Sequence, residues 1–357
     1  MAPRAHLVRL CALWLCSALA AVPACAPPST ALDVTGAAYA LTGDVCQVHD
    51  PALAQDADGS LHVFSTDLAG AGGGGGGYLP HRCSATGRDW ALCGHVFSAL
   101  PAWLPAAVPG VRGLWAPDVS FHAASGLWRL YYAASTFGSQ RSAIGLATSR
   151  SLARPQWVDR GAALASAAGD AVNAIDPSAS QVGALLGFGS VWGGLYALPL
   201  AASGLAPPAG PGAALQHLAQ RPAPPHALEA ASLLHVALAD GSAQPWLLAS
   251  YDLCCRGVNS TYSVRAGRWE AQRGAYVDRA GGPLLAGGGT LLLGGGHGWA
   301  AAGGQSPLRT AAAALPSAAA LLPLALHAYD GVTGAPYLQL VALNFSGAWV
   351  AAEPLRV

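Results

Sequence analysis

The stretches LHVFSTD at 61–67, LYYAAS at 130–135, LGFGS at 186–190, WLLASYD at 246–252 and LALHAYD at 324–330 are five versions of one phrase. Each is an apolar run that ends in a small or polar residue. Short runs of this kind, rich in Val, Leu, Tyr, Phe and Trp and set between Gly and Pro clusters, read as β-strands. The 45 glycines and 26 prolines of the 357-residue chain are too much punctuation for a helical bundle. Recurrence at intervals near the length of a propeller blade, with loops allowed for, points to four-stranded antiparallel sheets set radially. The fold expected is all-β, a five-bladed β-propeller with a central channel. Blades packed on both faces also account for a chain that is 53% hydrophobic and only 10% charged, against roughly 25% charged in an average soluble domain.

A second recurrence sits shortly before the first. Asp50-Pro51, Pro117-Asp118, Asp176-Pro177 and Glu229-Ala230 each stand where a blade's innermost strand would begin, beside the channel. The chain has only 18 acidic residues, so four at one equivalent position is a reading with chemical weight. Grouped carboxylates in a partly desolvated pocket cannot all ionise normally. One is pushed up and serves as a general acid, while another stays charged and serves as a base. Glycosidic bonds are hydrolysed by such pairs, and calcium is the other use of clustered oxygens. Trp115, Phe137 and Trp192, beside acids or at the ends of repeat strands, favour a sugar, whose C–H faces stack on aromatic rings.

Eighteen acidic and 18 basic side chains leave no net charge, which argues against nucleic-acid and anionic-membrane partners. Residues 1–26 have the form of a secretory signal peptide: a basic start with Arg4, His6 and Arg9, an apolar run too short for a bilayer, and Ala-Cys-Ala at 24–26. A linker at 27–43 and a single propeller domain at 44–357 follow. The protein is expected to be secreted, unattached to membranes and monomeric. Secretion permits disulfides. Cys83 and Cys93 are placed to close a loop around Trp90, whereas the adjacent Cys254 and Cys255 read as two buried thiols, or as one buried and one lining a cleft.

A family resemblance rests on VHDP at 48–51, LWAPD at 114–118, SAIGLATS at 142–149, NAIDP at 173–177, FGSVW at 188–192, DLCCRGVNSTY at 252–262 and GGGTLLL at 287–293. In this order they resemble glycoside hydrolase family 43, and the DLCCRG run resembles its endo-α-1,5-L-arabinanases. The resemblance implies a five-bladed propeller that cuts its polysaccharide, arabinan or a related pentose polymer, with inversion. It implies Asp50 as general base, Glu229 as general acid, and Asp176 as the group that raises and positions Glu229. Inversion requires carboxyls roughly 6.5–9.5 Å apart. Asp118 is left a structural or substrate-orienting role. Trp115, Phe137, Ile175 and Ser190 fall at positions of the family's sugar lining, with Trp192 beside them, and His49 shapes the base.

Two departures matter. The family's Glu-Ala-Pro is Glu229-Ala230-Ala231 here, and the segment that carries a channel histidine, GPGHNS, is AAGGQS at 301–306. The histidine position is Gly304, which weakens the case for a channel calcium, and no cofactor is required. An exo-acting α-L-arabinofuranosidase or β-xylosidase on the same scaffold, and a non-catalytic carbohydrate-binding propeller, are the competing readings.

Overall fold

The protein is described here from a computed structural model, which covers residues 41–355 apart from 69–75, 181, 183, 206–214 and 313–314. The signal peptide, most of the expected linker and most of the Gly72–Gly77 run lie outside the described residues.

The described residues form five sheets, each an antiparallel meander taken in chain order. The innermost strands are Ala52–Gln55, Trp115–His122, Ser178–Ala179, Leu228–Ala237 and Trp299–Pro307. The second strands are Leu61–Phe64, Leu127–Ala134, Leu185–Ser190, Ala243–Tyr251 and Leu322–Asp330. All five copies of the repeated phrase therefore fall on the second strand of a sheet, so the repeat is one of structure as well as sequence. Each innermost strand touches the next around a ring. The arrangement is an all-β propeller with almost no helix beyond the short Leu104–Ala107 turn.

The core is divided among the spaces between neighbouring sheets rather than gathered in one centre. One cluster joins the first and second sheets through Phe64, Leu130 and Ala147. Others join the second and third through Ile144 and Phe188, and the third and fourth through Leu195 and Leu247. Strands clamped on both faces lose the usual in–out alternation. Ser142–Ser149 is buried at every position. Gly145 sits opposite Tyr132 in this sheet, and a Cβ there would lie 2.2 Å from the Tyr132 ring. The glycine is what lets the ring lie flat across its neighbour and reach Asp159 with its hydroxyl at 2.7 Å.

Closure of the ring uses two crossings. Arg309–Thr310, just past the inner strand of the fifth sheet, pairs parallel with Ala52–Gln55 of the first. Thr42 and Gly43, at the end of the expected linker, pair with Asp89 and Trp90 on the outer edge of the first sheet. From there the chain runs to the fifth sheet, where the Leu338 amide donates to the Val45 carbonyl at 2.8 Å.

Arg309 also fills the channel. It is 1% exposed, and Nη2 donates to the carbonyls of Leu233 at 3.0 Å and Ala179 at 3.3 Å. The buried Asp118 carboxylate opposes the drop that burial imposes on the guanidinium pKa. One residue thus binds the third and fourth sheets with its side chain, the first with its backbone and the second through charge.

Cys83 and Cys93 are bonded, as their spacing suggests. Cys254 and Cys255 are bonded to each other, which corrects the reading of two thiols. Neither is buried, and the loop around them turns sharply enough, with Cys255 at φ 66°, to bring neighbours together. No helix among the described residues is long and apolar enough to cross a membrane.

Candidate active site

At the mouth of the channel each inner strand starts or bulges around one left-handed residue. These are Asp50 (φ 46°), Ala116 (φ 36°), Asp176 (φ 53°), Ala230 (φ 53°) and Gly304 (φ 60°). Left-handed backbone is uncommon for residues other than glycine and persists where the surroundings impose it. All five line one small cavity. This geometry corrects the expected equivalence of the four acids. Only Asp50 and Asp176 occupy the same position in their sheets. The strands at Trp115–His122 and Leu228–Ala237 shift register at this point, so Asp118 falls two residues after the turn and Glu229 one residue before it.

Asp50 is the most heavily supported. Its Oδ2 accepts from His49 Nδ1 at 2.8 Å and from the Thr66 hydroxyl at 2.8 Å. Thr66 is fixed in turn by the Ala116 amide at 2.7 Å. Burial works against the charge on Asp50, but the neighbouring His49, with help from His327 and Thr66, holds its carboxyl well below the usual range.

Glu229 and Asp176 go the other way. Burial raises Glu229, and the charge of Asp50 adds to the rise. The Tyr262 hydroxyl, donating to Oε1 at 2.9 Å, partly opposes it. Asp176 is raised well above a normal carboxyl by burial and then by the negative charges of Glu229 and Asp50. The Ala230 amide donates to Asp176 Oδ2 at 2.9 Å, while Gln305 Nε2 donates to the Ala230 carbonyl at 2.6 Å. These two bonds hold the backbone where the family has proline and this chain has Ala231.

The other expected residues are spread over two environments. Phe137 is 84% exposed, with Trp115 edge-on to it at 6.3 Å between ring centres. Trp192 is half-buried in the hairpin of the third sheet. That hairpin borders a recess of about 190 Å³ lined by Val191, Gly193, Gly194, Gln220, Arg221 and His226. Ile175 is largely covered and accepts the Gly189 amide at 3.0 Å. Ser190 is 1% exposed, and its hydroxyl accepts from the Asn173 side-chain amide at 2.9 Å. Asp118 lies deeper, where it accepts the Ala179 amide at 2.8 Å. Burial raises it to about 6, against the pull of Arg309, and it lines the same small cavity as Asp50 and Asp176.

Thr66, Tyr262, Tyr329 and Arg309 were not singled out from the sequence. Two of them had a signal. Thr66 and Tyr329 stand just before the aspartate that closes their copies of the repeated phrase, in STD and AYD.

The calcium that the family resemblance allows does not fit. Position 304 offers no side chain, and a Cβ there would lie 2.4 Å from Asp50 Oδ1 and 2.7 Å from His327 Nδ1. His49, Asp50 and His327 do bring ligand atoms within 4.8 Å of one another. That set offers two imidazoles and one carboxylate already bonded to His49 and Thr66, whereas calcium takes six to eight oxygens. His327 is fully buried and stacks on His49 at 3.7 Å, and its Nδ1 accepts the Asp50 amide at 3.1 Å. Burial pushes its pKa well down, and the neighbouring His49 adds to the drop. Gly304→Ala is therefore expected to push Asp50 and His327 apart and to lower kcat at least about tenfold. Steady-state kinetics with an unchanged kcat would show that the tight fit is without consequence.

No family model matches the chain. It is 33% identical over 307 residues to an extracellular endo-α-(1→5)-L-arabinanase of Bacillus subtilis, covering 85% of this chain and 86% of that one. It is 34% identical over 260 residues to an arabinan endo-1,5-α-L-arabinosidase of Emericella nidulans, covering 69% and 73%. Among solved structures, the native Bacillus subtilis arabinanase Arb43A superposes with a TM-score of 0.74 at 31% identity, covering 88% of this chain and 99% of its own. An exo-1,5-α-L-arabinanase from a bovine ruminal metagenomic library superposes with a TM-score of 0.72 at 30% identity, covering 86% and 97%. On likeness of this extent along both chains, the protein belongs to glycoside hydrolase family 43, in its endo-α-1,5-L-arabinanase branch.

Proposed function

We propose that the protein is a secreted, inverting endo-hydrolase of α-1,5-L-arabinan, and that its five sheets are the five blades of the family's propeller. The observation that carries this reading is the opposite displacement of carboxyls around one channel mouth. Asp50 is held ionised while Glu229 and Asp176 are pushed up. Pairs of groups whose surroundings separate their pKa values mark the acid and the base. Asp50 takes a proton from water as the water oxygen attacks the anomeric carbon. Glu229 gives its proton to the departing glycosidic oxygen. The charge of Asp50 and burial keep that proton on Glu229, and Asp176 fixes the backbone beside it through Ala230. No metal is needed for any of these transfers.

Endo action is favoured by open surface on more than one side of the acids, at the exposed Phe137 and at the recess beside Trp192. The likeness to an exo-acting arabinanase keeps exo action as the second reading. Incubation with linear α-1,5-arabinan separates them by product size. A range of short oligosaccharides supports endo cleavage, and arabinose alone supports exo cleavage. Intact polymer with retained binding would leave a carbohydrate-binding propeller. Phe137→Ala is expected to raise KM roughly tenfold, the worth of one covered aromatic ring, with kcat nearly unchanged. An unaltered KM would remove Phe137 from the substrate surface.

A further inference from the structure

The loop that follows the second strand of the fourth sheet reaches both catalytic carboxyls, Glu229 directly through Tyr262 and Asp50 through Tyr329 and His49. It leaves at Asp252, which is held by Arg221 at 2.6 Å, and returns at Tyr262, whose hydroxyl is bonded to Glu229. Within it the Thr261 amide donates to the Leu253 carbonyl at 2.9 Å, and the Arg256 amide to the Ser260 hydroxyl at 3.0 Å. Between these sits the Cys254–Cys255 disulfide. Cys254 packs on Tyr262, Ala301 and Tyr329.

The Cys255 amide donates to the Tyr329 hydroxyl at 2.9 Å, and that hydroxyl is 2.6 Å from His49 Nε2. A hydroxyl has one proton. Its candidate acceptors are His49 Nε2 and the Cys255 sulfur at 3.9 Å. The nitrogen is much the closer and the stronger acceptor. Nε2 then accepts, so Nδ1 carries the proton that His49 donates to Asp50 at 2.8 Å. A fixed backbone amide thereby sets a tautomer two groups away. A bond between neighbouring cysteines closes a small ring through their shared peptide and leaves that amide little freedom.

We propose that the Cys254–Cys255 disulfide is a positioning element for the base. It locks the Cys255 amide, and through Tyr329 and His49 it holds the Asp50 carboxylate in one orientation. The inference rests on the catalytic reading above, and the experiment separates the two.

The experiment measures arabinan hydrolysis by the wild type, Cys254→Ser/Cys255→Ser, Tyr329→Phe and the triple variant. The double variant and Tyr329→Phe are each expected to lower kcat roughly tenfold with KM within about twofold. The triple variant is expected to be no worse than Tyr329→Phe, because both changes break one chain of bonds. Losses that multiply in the triple variant would overturn the proposal, as would a loss confined to KM. Cys83→Ser/Cys93→Ser, on the outer strands of the first sheet, is the control and should keep wild-type kcat. A second readout needs no catalysis. The ¹⁵N shifts of the His49 ring should show a protonated Nδ1 and a bare Nε2, and should change in the double variant. If the wild type releases no sugar, the catalytic reading falls and the ring shifts alone decide this one. Unchanged shifts would overturn it. Should the double variant fail to fold, reduction by a dithiol of the Cys83→Ser/Cys93→Ser protein with Cys46, which is also disulfide-bonded, replaced by Ser is read in the same ways: the dithiol is oxidised as the Cys254–Cys255 bond is converted to two thiols.

Discussion

Glu229→Ala is expected to lower kcat on linear arabinan roughly a thousandfold, within the range that a positioned general acid contributes. The same change should cost far less on an arabino-oligosaccharide bearing a nitrophenyl leaving group. A phenolate departs without a proton, so the acid has little left to supply. Asp50→Ala should be crippling on both substrates, because water must be activated whatever leaves. This contrast distinguishes the two roles more sharply than inactivity does. The pH profile carries the same information. Activity needs Asp50 charged and Glu229 protonated. The Asp50 pKa is depressed, so its charge survives as pH falls, until pH passes that lowered value. The Glu229 pKa is raised, so its proton survives to higher pH and is lost above it. The alkaline limb should be pronounced for the wild type on linear arabinan and much weaker on the nitrophenyl substrate, where Glu229→Ala should lack it. Equal losses for Glu229→Ala on both substrates would mean that Glu229 holds structure rather than delivers a proton.

Arg309→Ala is expected to destabilise the protein by roughly 3–5 kcal/mol, the cost of leaving two buried carbonyls without their donor and a buried carboxyl without its cationic neighbour. In thermal unfolding this is a fall in Tm on the order of 10 °C. The residue is the channel's plug. Its loss leaves the carbonyls of Ala179 and Leu233 without a donor and Asp118 without the positive charge that opposes its rise. It also opens a void where five sheets meet. Arg309→Met restores most of the volume and none of the charge. It should therefore recover part of the loss, and further replacement of Asp118 by Asn should recover more. A Tm for Arg309→Ala within about 2 °C of the parent would show that the ring holds without its plug.

The fold was legible because its cause is repetitive. Five strands clamped between neighbours need the same apolar phrase, and the phrase survives heavy drift toward alanine. The acids Asp50, Asp176 and Glu229 were legible too, since each belongs to a short motif at the start of an inner strand. What could not be read was register. A bulge places Ala116, not Asp118, at the turn and sets Glu229 one residue before Ala230, and no residue spacing announces a bulge. The Asn173 partner of Ser190 could not be read either, because it is near in space and not in sequence. The vicinal bond at Cys254 was misread because adjacency suggested avoidance, whereas the turn at Cys255 accommodates it. Arg309 gave no signal beyond being a lone charge in the apolar run PLRTAAAALP at 307–316. Its importance comes from carbonyls contributed by two distant sheets.

The parallel clasp between Ala52–Gln55 and Arg309–Thr310 also dictates an order of events during synthesis. The first inner strand to emerge from a ribosome finds its hairpin partner Leu61–Phe64 at once. Its other edge stays bare until almost the whole chain has been made. Bare edges are templates for the wrong partner, and a pairing between ends so distant in sequence closes slowly. The earliest inner strand translated is thus among the last to be completed, and until then the growing chain carries an open ring with one unpaired side.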